Sequence, residues 1–288
     1  MDSFEQHLHK RYTRETVKSY VYQVKRYHEY FSNANFTRHS DVIEYLALPR
    51  LKSVKTVALA ALKSYFSFLV ENGVRLDHPC RNITTRVKKK PIQTQDLFTI
   101  DELEILIERE NRYYLLDLRN KAIISMMIYQ ALSSAELCRL QCMDIDLAEG
   151  LVFIRGSKKI SARKLLLLPK QVLILHDYIQ IKRPQLLRRK NDSLFLTKIG
   201  QAESVTGIHS IIEPLKNLYP DRKLTPSTIR QSVITNKLNV AGEALEQVQL
   251  FAGHKWPSTT EKYVRSNTEE SQRRINMWHP LAQQPPSQ

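Results

Sequence analysis

The chain is poor in cysteine, in long apolar runs and in acidic side chains, and each shortage excludes a class of protein. Its three cysteines, Cys80, Cys138 and Cys142, are too few for an even disulfide framework, which favours a reducing interior. The most apolar short run, residues 165–168, is far below the roughly 18 residues that span a bilayer. Because residues 1–14 are polar and mixed in charge, we expect no secretory signal and a cytoplasmic protein.

Two of the cysteines raise the question of a metal site. Cys138 and Cys142 lie four residues apart in a segment with a helical pattern, and no His or further Cys lies near them at metal-ligand spacing. We therefore interpret both as buried core residues, and we predict neither a metal nor a cofactor.

The shortage of acidic side chains leaves a large basic excess. The 288 residues include 44 Lys and Arg against 29 Asp and Glu, a formal net charge of +15. This excess favours a polyanionic partner, with nucleic acid ahead of an anionic membrane surface, and solubility alone is the other interpretation. No helical pattern combines a cationic face with a broad apolar one, which argues against the membrane. Residues 1–96 and 97–288 are both net basic, which favours a partner held between them.

Residues 1–85 have the pattern of a small unit of three or four short helices. One helix is predicted to begin with Thr13 as its N-cap. A later helix is predicted to end at Asn72-Gly73 and to carry Val57 on its apolar face.

Residues 86–96 are interpreted as a basic linker. The stretch TTRVKKKPIQTQD (84–96) has no apolar period and contains a proline and three consecutive lysines, Lys88, Lys89 and Lys90. Two interpretations stay open: a solvated run of charge, or a strap that lies along phosphates.

Residues 97–288 are predicted to form a mainly helical unit with a small antiparallel sheet. Helices are predicted at 100–108, 120–132 and 135–142. The period then changes, because two short apolar runs, 151–155 and 164–168, are joined by GSKKISAR. This pattern predicts a β-hairpin with a basic tip, after which helical patterns resume.

The second unit carries an ordered set of motifs. The segments LTPSTIRQSVITNKL and QLFAGHKWPSTTEKY place Arg230 in a TP-x-x-I-R context, then His254 after a glycine, then Tyr263 nine residues after that histidine. Upstream, the segment YQALSSAELCRLQCMDIDL (129–147) contains the pair Glu136-Leu137, followed by Asp144. The set resembles the signature of the tyrosine recombinases, or phage integrases. The resemblance extends over nearly the whole chain, including a T-x-x-x-Y helix and a D-x-P sequence in the first unit.

The resemblance implies a fold and a domain division. It implies a small helical core-binding (SAM-like) domain at residues 1–85, the basic linker at 86–96 and a mixed α/β catalytic domain at 97–288. The fold is therefore expected to be mainly α with a small antiparallel sheet in the catalytic domain.

The resemblance also implies a reaction, in which DNA is cleaved and rejoined by a site-specific recombinase. Tyr263 would attack a phosphodiester and form a 3′-phosphotyrosyl link, so that neither ATP nor a metal is needed. Arg230 and His254 would stabilise the charge on the phosphate oxygens, and His254 could also assist proton movement at the tyrosine. Lys158 on the hairpin would protonate the leaving 5′-oxygen, with Lys159 as the alternative.

Two positions depart from the family pattern. The family has two conserved sequence motifs, called boxes, which correspond here to residues 129–147 and to the segment around Arg230. Ser133 stands where the first box carries an arginine, and Ser227 stands where the second box begins with a histidine. A serine donates one neutral hydrogen bond, which is weaker than a charge-assisted one. Arg155 is the first candidate to compensate for the missing cation, and Arg139 is the second. Otherwise the enzyme is slow, or the chain is a catalytically impaired DNA-binding or regulatory protein on the same fold.

Double-stranded DNA is the expected partner, held by both basic units, and the protein would then associate with the nucleoid. The resemblance further implies a tetramer on DNA, with the segment Glu269–Trp278 docking on a neighbour through Ile275 and Trp278. The lysines predicted to contact DNA are Lys18, Lys25, Lys55, Lys88, Lys89 and Lys90.

Overall fold

A computed structural model describes residues 2–51, 54–85, 97–109, 114–158 and 160–264. The contacts divide the chain into two compact units, Met1–Lys90 and Pro91–Gln288. Within the described ranges both units are mainly helical and the second contains a small sheet, so the predicted fold class is confirmed. The predicted linker at 86–96 lies outside those ranges. None of the helices described is long and apolar enough to cross a bilayer.

The first unit is a helical cluster around an aromatic core. Its described α-helices are α1 (Asp2–His9), α2 (Arg14–Tyr30), α3 (His39–Ala47) and α4 (Lys55–Glu71). Tyr27 of α2 contacts Tyr45 and Phe66 edge to face, with ring centroids 4.9 and 6.1 Å apart. All three rings are buried, so the long helices α2 and α4 are packed through aromatic side chains.

Two details of the first unit differ from the prediction. Thr13 does occupy the N-cap position of α2, but its hydroxyl contacts the hydroxyl of Thr16 at 3.1 Å rather than a backbone N–H group. Val57 is exposed, because the buried stripe of α4 runs through Ala58, Ala61 and Leu62 instead.

The second unit surrounds the buried helix α6. Its described α-helices are α5 (Ile100–Glu108), α6 (Tyr114–Tyr129), α7 (Ser134–Leu137), α8 (Pro169–Asp177), α9 (Arg183–Leu186), α10 (Val205–Ile212), α11 (Pro226–Asn239), α12 (Leu245–Ala252) and α13 (Pro257–Thr260). Helix α6 begins six residues before the predicted start. Most of its last two turns are buried on every face, so a one-sided apolar pattern could not mark its limits.

The helix predicted at 135–142 is wrong in length. Helix α7 ends at Leu137, and a 3₁₀ turn follows at Cys142–Asp144. The intervening backbone pairs with a distant segment, since Leu194 donates to the carbonyl of Leu140 at 2.8 Å and Cys142 donates to that of Asp192 at 3.0 Å. Cys138 and Cys142 are free and pack against the core, as predicted, but each is half-buried rather than buried.

The sheet contains three antiparallel strands in chain order: β1 (Ile145–Asp146), β2 (Leu151–Ile154) and β3 (Arg163–Leu166). The predicted hairpin is β2–β3, and β1 was not predicted. The register sets Leu151 opposite Leu166 and Ile154 opposite Arg163. The second strand therefore begins one residue earlier than predicted, and this shift brings Arg163 into the ladder.

Candidate active site

Arg230 lies one turn into α11, which begins with Thr225 as a capping residue and Pro226 in its first turn. Its side chain is 12 % exposed. Nη1 donates to the carbonyl of Ala131 and, at 3.2 Å, to Oε2 of Glu136, and Nη2 donates to the carbonyl of Ala252 at 2.6 Å. The arginine therefore joins the end of α6, helix α7 and the end of α12.

The first of these partners has an unusual backbone. Ala131 has a φ of +50°, the one positive value at a residue other than glycine within the described ranges. A left-handed alanine costs about 1–2 kcal/mol, and here it turns the chain between α6 and α7. The strained turn places its carbonyl oxygen against Arg230.

Glu136 is the centre of a buried ionic cluster. Its side chain is 0 % exposed and pairs with both Arg230 and Arg163, the latter through Arg163 Nη1 and Glu136 Oε1 at 2.7 Å. The hydroxyl of Ser133 donates to Oε2 at 2.6 Å and its backbone N–H donates at 2.9 Å. Burial alone raises the pKa of Glu136, but the two arginines and the bonds from Ser133 outweigh it and hold that pKa below its usual value.

Arg163 is the member of this cluster that sequence reasoning missed. Its side chain is 6 % exposed, and only Nη1 has a partner. Nε and Nη2 are both shielded from solvent, and neither has a hydrogen-bond partner within the described part of the chain. Each buried N–H without a partner costs about 1–3 kcal/mol. Two arginines and one carboxylate also leave the cluster with an excess of one positive charge.

His254 follows the turn that ends α12. Gly253 has a φ of +69°, and a Cβ atom there would lie 2.5 Å from Nη1 of Arg163, so this position requires glycine on two counts. Nδ1 of His254 lies 2.9 Å from Oγ1 of Thr260. Burial, and then the positive charges of Arg230 and Arg163, lower the pKa of His254 to about 4, so the ring is neutral at pH 7.

Tyr263 closes the site from the 3₁₀ turn Glu261–Tyr263. Its ring is stacked on that of His254, with centroids 5.9 Å apart and planes 14° from parallel. Its carbonyl accepts a bond of 2.9 Å from Asn239 of α11. Burial raises the pKa of the Tyr263 phenol, and Arg230 offsets part of that rise. The three motif residues Arg230, His254 and Tyr263 are therefore brought together.

The hairpin tip is attached to the same turn. The backbone N–H of Ser161 donates to the carbonyl of Gly253 at 2.9 Å, and Ile160 forms a bridge with His254. Lys158 is exposed at the tip. Lys159 lies outside the described residues.

The other residues predicted for the site either lie away from the ionic cluster around Glu136 or have a different role in it. Arg155 pairs with Asp144 at 2.9 Å and donates to Gln141 at 2.6 Å. Arg139 is exposed and donates to the carbonyl of the residue four positions earlier. Ser227 is exposed in the first turn of α11, three residues before Arg230. The hydroxyl of Ser133 is engaged by Glu136, as both cap of α7 and donor.

The basic residues predicted to contact DNA divide into two sets. Lys18, Lys25 and Lys55 are exposed on helices of the first unit, and Lys18 lies 3.5 Å from Glu15. Lys88, Lys89 and Lys90 lie outside the described residues. In the part of the chain that the structure describes, no group of three or more His, Cys, Asp or Glu side chains is arranged to hold a metal.

Comparison with known proteins gives consistent matches over both units. The model of the phage integrase family matches residues 97–270, and that of the phage integrase N-terminal SAM-like domain matches residues 1–73. Tyrosine recombinase XerD of Listeria monocytogenes is 29% identical over 284 residues, which cover 93% of each chain. Tyrosine recombinase XerC of Lactobacillus delbrueckii is 30% identical over 212 residues, which cover 72% of this chain and 70% of the relative.

Solved structures with the same fold include two recombinases with DNA. A XerH site-specific recombinase bound to a difH substrate has a TM-score of 0.73 and 21% identity, covering 91% of this chain and 79% of that chain. A lambda integrase dimer bound to a COC′ core site has a TM-score of 0.65 and 14% identity, covering 91% and 93%.

Proposed function

The chain belongs to the phage integrase family of tyrosine recombinases, and on that premise we propose that it is a site-specific recombinase that cleaves and rejoins DNA through Tyr263. The observation that carries the proposal is the convergence of Tyr263, His254 and Arg230 on one buried site. The named relatives are recombinases, which favours this reaction over a role as a non-catalytic DNA-binding regulator.

The proposed reaction is an in-line displacement at phosphorus. The phenolic oxygen of Tyr263 forms a bond to phosphorus while the bond from phosphorus to the 5′-oxygen breaks, which leaves a 3′-phosphotyrosyl link. The guanidinium of Arg230 stabilises the negative charge that gathers on the non-bridging oxygens. A second strand with a free 5′-hydroxyl then reverses the step, so the bond energy is conserved.

Two proton transfers accompany the displacement. The raised pKa of Tyr263 means that the phenol is protonated in the free protein and must lose its proton as it attacks. Neutral His254, stacked on the ring, is placed to assist this transfer, with Thr260 bonded to its other nitrogen. Lys158 at the hairpin tip is the proposed donor to the leaving 5′-oxygen, and Lys159 is the alternative.

Contacts to the DNA backbone are proposed for the lysines on the first unit and the linker. Lys18, Lys25 and Lys55 are exposed and so available to phosphates, and Lys88, Lys89 and Lys90 would extend the contact along the chain. Such contacts give affinity without sequence preference and weaken steeply as salt is added.

Assembly on DNA is proposed to use the segment Glu269–Trp278, which would dock on a neighbouring copy in a tetramer. A cavity of about 630 Å³ on the second unit offers an apolar receiving surface. Leu166 and Val240 line this cavity and are 74 % and 76 % exposed. Exposed aliphatic side chains beside a cavity suit apolar anchors such as Ile275 and Trp278.

A covalent-adduct assay tests the reaction. A tight-binding duplex is first selected from random-sequence DNA with the Tyr263→Phe protein, and a nicked suicide version of that duplex is then offered to the wild type. We expect a protein–DNA adduct on a denaturing gel that Tyr263→Phe does not form. A wild type that binds the duplex and yields no adduct with nicks scanned across both strands excludes the recombinase and leaves the DNA-binding regulator.

A further inference from the structure

The family arginine missing at Ser133 leaves the proposed reaction short of one cation, and the structure contains a buried arginine that is only partly used. Arg163 shares Glu136 with Arg230, and one of its three nitrogens has a partner. An arginine fork engaged on one side keeps its remaining N–H groups for an anion, and two parallel N–H groups match two phosphate oxygens.

We propose that Arg163 is the second guanidinium of the phosphate site, and that Nε and Nη2 bind the two non-bridging oxygens of the scissile phosphate. This inference rests on the proposed recombinase function and names a residue that replaces the charge absent at Ser133. It replaces Arg155 in that role, because Arg155 bonds to Asp144 and Gln141 and to no member of the cluster around Glu136 within the described residues.

Three observations favour an anion-binding site beside Arg163. First, the cluster of Arg163, Arg230 and Glu136 carries one positive charge in excess. Second, the guanidinium lies against Gly253, the residue before His254, so it borders the proposed catalytic histidine. Third, a cavity of about 370 Å³ is lined partly by Arg163 and other cationic or polar residues, Ser161, Lys164, His254 and Lys255, and partly by apolar residues such as Leu165, Leu250 and Phe251.

The shared carboxylate of Glu136 offsets part of the repulsion between Arg163 and Arg230, with which it pairs at 2.7 and 3.2 Å. A single carboxylate bonded to both guanidiniums, with a short hydroxyl bond from Ser133, fixes their positions before DNA binds. Groups held in place in this way do not have to reorganise when charge develops on the phosphate.

Inorganic phosphate is the first probe, because it requires no DNA site and no cleavage. Thermal unfolding is followed in phosphate and in chloride of equal ionic strength. We expect phosphate to raise the melting temperature of the wild type, and Arg163→Gln to lose more than half of that rise. Arg163→Lys keeps a cation for Glu136, so it supplies a folded variant if the glutamine protein does not fold.

Arg119→Gln is the matched control for the phosphate measurement. Its ion pair with Glu203 is as buried as that of Arg163, but Arg119 bonds to none of the site residues. We expect this variant to lower the melting temperature in both salts and to keep the increment from phosphate. An Arg163 variant that keeps the wild-type increment overturns the proposal.

The second probe is the charge of the scissile phosphate itself. In single turnover on the suicide duplex, Arg163→Lys should slow adduct formation on the order of 10²-fold. A methyl group in place of one non-bridging oxygen removes the negative charge of the scissile phosphate. On such a duplex the ratio of the wild-type rate to the Arg163→Lys rate should shrink severalfold. Adding Ser133→Arg to Arg163→Lys should restore most of the lost rate. If Arg163 has a purely structural role, the ratio of the wild-type rate to the Arg163→Lys rate should be equal on the two duplexes, and Ser133→Arg should restore none of the lost rate. That result would contradict the proposal.

The two probes separate the two proposals. A wild type that forms no adduct excludes the recombinase function, whereas the response to phosphate still decides whether Arg163 binds the anion. Suppose instead that the adduct depends on Tyr263, that the Arg163 variants keep the wild-type response to phosphate, and that the ratio of wild-type to Arg163→Lys rates is equal on both duplexes. The recombinase function then stands, and Arg163 is excluded from the phosphate site.

Discussion

Two buried arginines of the catalytic unit, Arg119 and Arg163, differ in how completely their nitrogens are used. Arg119 bonds through all three, to Asn120, to the carbonyl of Leu196 and to Glu203, at 2.8 to 3.0 Å. Arg163 bonds through Nη1 alone, and its carboxylate partner is shared with another arginine. The side chains are equally buried, at 6 % exposure each.

The difference separates a structural ion pair from a site that is prepared for a ligand. Where every donor is satisfied and the charges balance, the pair has no further partner to gain. Where donors are left over and one charge is in excess, the folded chain carries a cost that a bound anion removes. The burial of each side chain and its own positive charge do not distinguish the two arginines. The number of hydrogen-bond partners of each nitrogen does.

Removal of the shared carboxylate should have the largest effect. Glu136→Gln leaves two buried cations without their counter-ion, and we expect a loss of about 3–5 kcal/mol in the free energy of unfolding. Glu203→Gln is the control, since it deprives one arginine only and should cost less. Urea unfolding with and without phosphate measures both. Phosphate should recover part of the loss for Glu136→Gln and none for Glu203→Gln, and equal recovery would remove the distinction.

A methyl group at Gly253 should displace Arg163. Gly253→Ala adds the left-handed cost, about 1–2 kcal/mol, to a contact of 2.5 Å with Nη1. Gly73→Ala is the control, because Gly73 has a φ of +70° and nothing within 4 Å of the added Cβ. We expect Gly253→Ala to lower the free energy of unfolding by about 1–3 kcal/mol more than Gly73→Ala. Equal losses for the two variants would mean that Arg163 moves aside freely.

The burial of His254, together with the positive charges around it, should appear in the pH dependence of stability. Its pKa is about 4 in the folded chain against an ordinary 6.5, so the unfolded chain takes up the proton first as the pH falls. This stabilising contribution is complete above pH 6.5 and is lost progressively down to about pH 4. The difference in unfolding free energy between wild type and His254→Gln should therefore shrink over this window. A constant difference would show that burial and the two arginines do not lower the pKa of the ring.

The smallest effect is expected at the cap of α7. Ser133→Ala removes both the cap and the donor to buried Glu136, and caps are worth about 0.5–2 kcal/mol. Ser204→Ala is the matched control, because Ser204 caps α10 with one bond of 3.0 Å to Gly207. Chemical denaturation should give a larger loss for Ser133→Ala. A loss no larger than that of Ser204→Ala would mean that the bond to the carboxylate adds nothing.

Sequence patterns predicted the helical units and the hairpin, because apolar periods of about 3.6 and 2 follow directly from one-sided burial. They misplaced the limits of α6 and α7, where burial on all faces or pairing with distant backbone decides the boundary. The resemblance to the tyrosine recombinases implied that Arg230, His254 and Tyr263 belong together, and the structure brings them into one site.

Arg163 was missed for two physical reasons. Its partners, Glu136 and Gly253, lie 27 and 90 residues away in the chain, and no local pattern reports such contacts. The second strand was also predicted to begin one residue late, so Arg163 was assigned to the tip rather than to the strand. Arg155 was favoured because it is near the first box in sequence, but its guanidinium turns to Asp144.

The bond from Ser161 to the carbonyl of Gly253 connects the two parts of the chain that are proposed to move protons in the reaction. It makes one backbone link between the loop that carries Lys158 and the turn that carries His254. The two proton transfers take place on opposite sides of phosphorus, yet the groups proposed for them share this link. A displacement of the hairpin tip would strain this bond beside His254, so the positions of the two proposed proton-transfer groups depend on each other.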